Sequence, residues 1–245
     1  MNADELLLVG QTSKKDLNIE KIKNYVSRIK KDALEDDIVI TDTLLENLTI
    51  IKDDKLTLAA LLFFAKTPQK YRQAFCIKAV SFFGNSIGGD FYRNSRDIVG
   101  TIPDMFEKGM DFLKSNLYQV QNGQNFNSEG ELEISESALE EVLQNALVHR
   151  DYSKNASIKI MIFDNRVEIV SPGSLPNSLT VESIKLGNAV VRNNLLATYC
   201  YKTMRYRGFG SGIVRSIEKQ SNIEFINDAA GEQFIVKIPR LSTDI

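Results

Sequence analysis

Ser137-Ala138-Leu139-Glu140-Glu141-Val142-Leu143-Gln144-Asn145-Ala146-Leu147-Val148-His149-Arg150-Asp151-Tyr152 is the stretch that decides the fold. Leu139, Val142, Leu143, Ala146 and Leu147 recur at the spacing that puts one apolar stripe on a helix. Glu141, Asn145 and His149 follow one another in steps of four, so they stack on a shared face beside that stripe. An amide carbonyl is a hard oxygen ligand suited to Mg²⁺. A carboxylate one turn earlier can polarise a water for attack on a phosphate. Taken alone, Glu and Asn at this spacing are also what a solvated helix face looks like.

A second segment changes that balance. Arg207-Gly208-Phe209-Gly210-Ser211-Gly212-Ile213 is a glycine-rich turn, and residues 214–220 after it have helix-forming composition. Alternating glycines let backbone approach a ligand closely, and the free N–H groups of a helix start attract anions. Between the two segments, residues 157–163 and 166–171 alternate in the strand period around an Asp164-Asn165 link, which reads as a tight hairpin. The second strand runs into Pro172-Gly173-Ser174-Leu175-Pro176, a turn with constrained backbone angles.

The order of helix, hairpin, proline-glycine turn, long link, glycine-rich turn, helix and final strands resembles the GHKL ATP-binding fold of gyrases, Hsp90-type chaperones, MutL and histidine kinases. Within it the chain is most similar to a bacterial group of transcriptional regulators and RecG-like ATP-binding proteins that accompany Schlafen-type domains. The blocks that carry the likeness are Asn-Ala-Leu-Val-His-Arg-Asp-Tyr at 145–152, Ser-Pro-Gly-Ser-Leu-Pro at 171–176, Arg192-Asn193-Asn194-Leu195-Leu196-Ala197 and Gly-Phe-Gly-Ser-Gly-Ile at 208–213.

The resemblance implies an α+β fold: a GHKL (Bergerat-like) α/β sandwich with a mixed, largely antiparallel sheet, preceded by a smaller helical and mixed region. The expected division is 1–115 for that region and 116–245 for the ATP-binding domain. The implied cofactors are ATP and Mg²⁺. Glu141 is then the catalytic base and Asn145 the metal ligand. His149, Ser171, Gly173, Arg192, Asn193, Gly208, Gly210 and Gly212 complete the nucleotide-binding set.

One departure stands out. Where active members carry an Asp that reads the adenine amino group, this chain has Ser171, and the second glycine of that turn is replaced around Leu175-Pro176. A charge-assisted hydrogen bond is worth about 1.5–3 kcal/mol, so its loss weakens adenine binding by about tenfold to a hundredfold. Two readings therefore stay open. The first is an ATP-binding regulatory module with slow hydrolysis at most, which the group's name casts as a transcriptional regulator. The second is a scaffold or interaction domain that keeps the shape and has lost nucleotide chemistry.

His149 and the long link each admit two roles. His149 either touches a phosphate or the lid, or complements the end of its helix for about 0.3–1 kcal/mol. Residues 175–207 are either a lid that folds over nucleotide, with Arg192 meeting a phosphate, or a packed helical insertion.

Composition bounds the rest. The 245 residues carry 30 Lys and Arg against 32 Asp and Glu, a net charge of −2, which argues against a broad nucleic-acid surface. DNA is expected only through domains not visible in this chain, and a homodimer is open. Cys76 and Cys200 are isolated and read as small buried hydrophobes, and a single histidine argues against zinc chemistry. No apolar run is long enough to span a bilayer and the first residues are acidic, so the expected location is cytoplasmic, with no membrane partner.

Toward the N-terminus, residues 15–37 read as a charged helix with a thin apolar stripe, 42–48 as a short helix, 50–56 as a hairpin around Asp53-Asp54 and 57–65 as a buried helix. Residues 75–83 and 91–98 read as strands, 101–117 as an amphipathic helix, and 118–127 and 131–134 as strands before a cap at Ser135.

Overall fold

Alternation in the strand period builds one sheet on which the rest of the chain packs. The computed structural model describes residues 10–30, 38–121, 130–176, 179–204 and 211–241. In chain order the helices are α1 (Ile19–Ile29), α2 (Asp42–Asn47), α3 (Leu58–Phe64), α4 (Ile102–Asn116), α5 (Glu136–His149), α6 (Val181–Lys185), α7 (Asn194–Thr203) and α8 (Ser211–Lys219). The strands are β1 (Ile51–Lys52), β2 (Lys55–Leu56), β3 (Ile77–Phe82), β4 (Tyr92–Ile98), β5 (Gln119–Val120), β6 (Glu131–Leu132), β7 (Ile158–Ile162), β8 (Arg166–Pro172), β9 (Glu224–Asp228) and β10 (Gln233–Pro239).

The main sheet has the order β4-β3-β7-β8-β10-β9. Only β3 and β7 pair in parallel; the other neighbours are antiparallel, so the sheet is mixed and largely antiparallel. Register follows the period-two pattern. Ile160 lies opposite Ile169, which lies opposite Val236, and Ile162, Val167 and Ile238 form the next row. These six are buried beneath the helices. The other face carries Met161, Glu168 and Lys237 in register, with Arg166 2.6 Å from Glu168. The fold is thus an α+β sandwich of a six-stranded sheet and helices.

Strands β3 and β4 come from the first 115 residues, yet they continue the sheet formed by the later strands. The apolar core is continuous from Leu17 to Ile238. Its N-terminal part is an aromatic knot of Tyr25, Phe63, Phe64 and Tyr199, with ring centroids 4.9 to 5.5 Å apart. The Tyr199 hydroxyl donates to the Leu48 carbonyl at 2.7 Å, so α7 is fastened to the N-terminal helices.

Elements expected from the sequence recur with small changes of extent. The hairpin at Asp53-Asp54 is present, and both residues take the positive φ values, 50° and 57°, that a two-residue turn of this hand needs. The first helix covers Ile19–Ile29, capped by Asn18 and preceded by a 3-10 turn at Lys14–Asp16, and residues 31–37 of the expected helix and 122–127 of the expected strand lie outside the described residues. Ser135 stands at the N-cap of α5, but its hydroxyl lies 3.1 Å from that of Ser137 and makes no capping bond. The helix after the glycine-rich turn begins earlier than expected, at Ser211, so Gly212 belongs to its first turn.

Candidate functional site

Helix α5 buries Leu139, Val142, Leu143, Ala146 and Leu147 on the sheet side, as its apolar stripe requires. The same rotation delivers Glu141, Asn145 and His149 to the wall of a cleft of about 1030 Å³, counting its open mouth. The floor is the face of β8, β9 and β10 at Ile169, Phe225, Phe234 and Val236, and α8 closes one side with Gly212, Ile213 and Arg215. This is the mixture of a mostly apolar wall and a few convergent polar groups that small-molecule sites favour.

The C-terminal end of α5 shows how the cleft is held open. A helix end leaves its last carbonyls without intrahelical partners. Here three side chains from three elements supply donors. The Ser171 hydroxyl donates to Ala146 O at 3.1 Å, the Tyr152 hydroxyl to Leu147 O at 2.8 Å, and the Asn193 amide to Val148 O at 2.8 Å and Arg150 O at 2.9 Å. Asn193 is 1% exposed and does not line the cleft; it holds the helix end from behind the wall. Ser171 does line the cleft. Its proton is committed to the helix, which leaves its oxygen lone pairs as acceptors.

Arg150 locks the turn that follows. It is 1% exposed, donates to the carbonyls of Asp151, Lys154 and Ala156, and stacks over Phe75 at 4.3 Å and Tyr152 at 4.7 Å. That turn presents Asp151, whose N–H donates to Pro172 O at 2.8 Å and whose carboxylate accepts from Ser153. Burial pushes the Asp151 carboxyl up, and the Ser153 donors and the Arg192 charge overrule it, so its pKa ends below the usual carboxylate value.

Arg192 crosses above Gly173. It donates to Ser174 O and lies 3.5 Å from Asp151, and its Nη1 is buried with no hydrogen-bond partner. Gly173 has φ +101°, and a Cβ there would overlap Arg192, so only glycine serves at this crossing. Burial and then the Arg192 charge pull the His149 pKa down to about 4. Its imidazole is therefore neutral at pH 7.

At the other end of the face, Glu141 is the centre of a small network. Asn145 Nδ2 donates to Glu141 Oε1 at 3.2 Å, and Arg215 Nη2 lies 3.0 Å from Glu141 Oε2. Gly212 presses its Cα against the same carboxylate so closely that a methyl group there would overlap it. Of the residues expected in the site, the structure brings together Glu141, Asn145, His149, Ser171, Gly173, Arg192 and Gly212. Asn193 stands behind the wall, and Gly208 and Gly210 lie outside the described residues. Sequence reasoning did not find Arg215, which lines the cleft, or Asp151, which stands behind it beside Arg192. Arg215 had one signal available, its place three residues after Gly212 on the same helix.

Comparison with known proteins agrees with this architecture. Residues 155–238 match the family model described as "Putative ATP-dependent DNA helicase recG C-terminal". The match spans β7 through most of β10 and supports an ATPase-like domain there. No curated protein matches the chain. Among solved structures, the DIP2311 protein from Corynebacterium diphtheriae is similar, with a TM-score of 0.65 and 18% identity over 97% of this chain and 46% of that one. At that identity the likeness shows the fold, and the chain spans about half the length of that protein. No helix among the described residues is long and apolar enough to cross a membrane. Topology and comparisons together give an α+β, ATPase-like domain with its cleft between α5 and α8.

Proposed function

We propose that the cleft binds a magnesium nucleotide, ATP in the first instance, and that the protein is a regulatory module whose nucleotide state is its signal. The observation that carries this reading is the convergence of Glu141, Asn145 and His149, from one helix face, with the Ser171–Gly173 turn and Gly212 around a single cleft. The donor set fits the ligand. Asn145 offers an amide oxygen of the kind Mg²⁺ accepts, and Arg192 carries a buried Nη1 that makes no hydrogen bond and only a 3.5 Å approach to the Asp151 carboxylate. Asn145 would hold the metal, which when bound neutralises phosphate charge.

In this reading the base lies at the Ser171 end. The Ser171 oxygen accepts from an exocyclic amino group, a neutral bond worth about 0.5–1.5 kcal/mol. Glu141 is the residue placed to take a proton from an attacking water. Both its oxygens are already engaged, by Asn145 and Arg215, which fits slow turnover at most. Residues 116–245 act as the nucleotide unit, and the first 115 residues brace it through β3 and β4. Any action on DNA belongs to a larger assembly in which such a module serves.

A specific observation favours a different reading, a scaffold without nucleotide. Ser171, Asn193 and Arg192 all donate to backbone carbonyls of the protein itself. Thermal unfolding with and without Mg-ATP separates the two. Binding at a hundred times the dissociation constant adds about 2.7 kcal/mol, a rise of several degrees in Tm. An unchanged Tm at millimolar Mg-ATP, with Mg²⁺ alone as the reference, supports the scaffold.

A further inference from the structure

We propose that Arg215 reads the terminal phosphate of the bound nucleotide, exchanging Glu141 for that phosphate, so that the cleft discriminates a triphosphate from a diphosphate. The inference rests on the nucleotide reading of the cleft.

Two cationic side chains line the cleft among its described residues, Arg192 and Arg215, and they stand at opposite ends of the functional face of α5. Arg192 crosses at the His149 end, where Ser174 O and Asp151 hold it over Gly173. Arg215 stands at the Glu141 end, eight residues back along the helix, a separation of about 12 Å at 1.5 Å per residue. A ligand whose base sits by Ser171 therefore extends its phosphates toward Asn145, Glu141 and Arg215.

Arg215 is suited to change partners. Its side chain is 41% exposed, whereas that of Glu141 is 15% exposed. Among the described residues it holds side-chain acceptors alone, Ser211 Oγ at 2.7 Å and Glu141 Oε2 at 3.0 Å, and both residues line the cleft wall. A guanidinium fork matches phosphate oxygens in pairs, and a terminal phosphate carries more negative charge than the single carboxylate it displaces. Glu141 stays held by Asn145 through Oε1, while its Oε2 is released toward the cleft. The same contact then serves two ends: it strengthens triphosphate binding and uncovers the carboxylate only when a terminal phosphate is present.

Calorimetric titration of wild type, Arg215→Met and Arg215→Lys with ATP and with ADP, in excess Mg²⁺, tests this. Wild type is expected to bind ATP about tenfold to a hundredfold tighter than ADP, the range of one charge-assisted phosphate contact. In Arg215→Met the ratio falls to within about twofold of one, and Arg215→Lys, which keeps the charge and loses the fork, lies between. Circular dichroism melts check folding, and the lysine variant carries the test if the methionine variant unfolds. A wild-type protein that binds ATP without preferring it over ADP, or an Arg215→Met or Arg215→Lys ratio equal to wild type, overturns the proposal and leaves the nucleotide reading standing. Binding of neither nucleotide overturns both.

Discussion

At the scale of single residues, identity and use part company in an instructive way. Ser171 stands where the resemblance implies an adenine reader, yet its proton goes to the carbonyl of Ala146, 25 residues earlier in the chain. A backbone acceptor has no signature in the sequence, so the position was legible and the bond was not. Arg150 is the same case. It is buried against two aromatic rings that touch each other, with carbonyls for partners, and no spacing in the sequence announces those contacts. His149 offers the sharpest test at this scale. Its pKa is about 4 in the fold and about 6.5 in an unfolded chain, so between those values the unfolded state binds the extra proton. Stability therefore falls as pH drops from about 6.5 to about 4 and this contribution levels off below. Urea midpoints at pH 7 and pH 5 should show that loss in wild type and a smaller one in His149→Gln. Equal losses in both would mean that His149 titrates normally.

At the scale of elements, the helix and hairpin patterns are legible because their periods are unambiguous. Leu139 to Leu147 keep one helical stripe, and Ile158 to Ile162 alternate in and out of the core. The start of α8 is harder to place because glycine is a poor helix former, so Gly212 reads as part of a turn. Its place in the first turn has a packing reason: a side chain there would occupy the space of the Glu141 carboxylate. Gly212→Ala gains helix propensity of about 1 kcal/mol, and the added methyl displaces the Glu141 carboxylate, the far end of a flexible side chain that turns aside at little cost. The net expectation is a broken Glu141–Arg215 contact with little change in stability, so that adding Arg215→Met to Gly212→Ala brings no further loss in urea unfolding. A further loss of stability on adding Arg215→Met would show that the contact survives the methyl group and that α8 does not sit this close to α5.

At the scale of the whole molecule, the class and the strand content of the sheet follow from local pattern, while the way the first half joins the second does not. The parallel pairing of β3 with β7 brings together residues 77 and 158, and nothing local in either strand names the other. The continuous core and the Tyr199 link to Leu48 make the N-terminal helices part of the support for α7, and through Asn193 for the end of α5. The cleft is thus a product of the entire chain, and its polar end at Glu141 and Asn145 is where the central claim is exposed. The most direct measurement is the Mg-ATP dissociation constant of wild type against Asn145→Ala by calorimetry, with both proteins shown to be folded. The account predicts one site per chain in wild type and an affinity at least about tenfold weaker in Asn145→Ala, the loss of about 1.4 kcal/mol of binding. Equal affinity in the two proteins, or no binding to wild type, would contradict it.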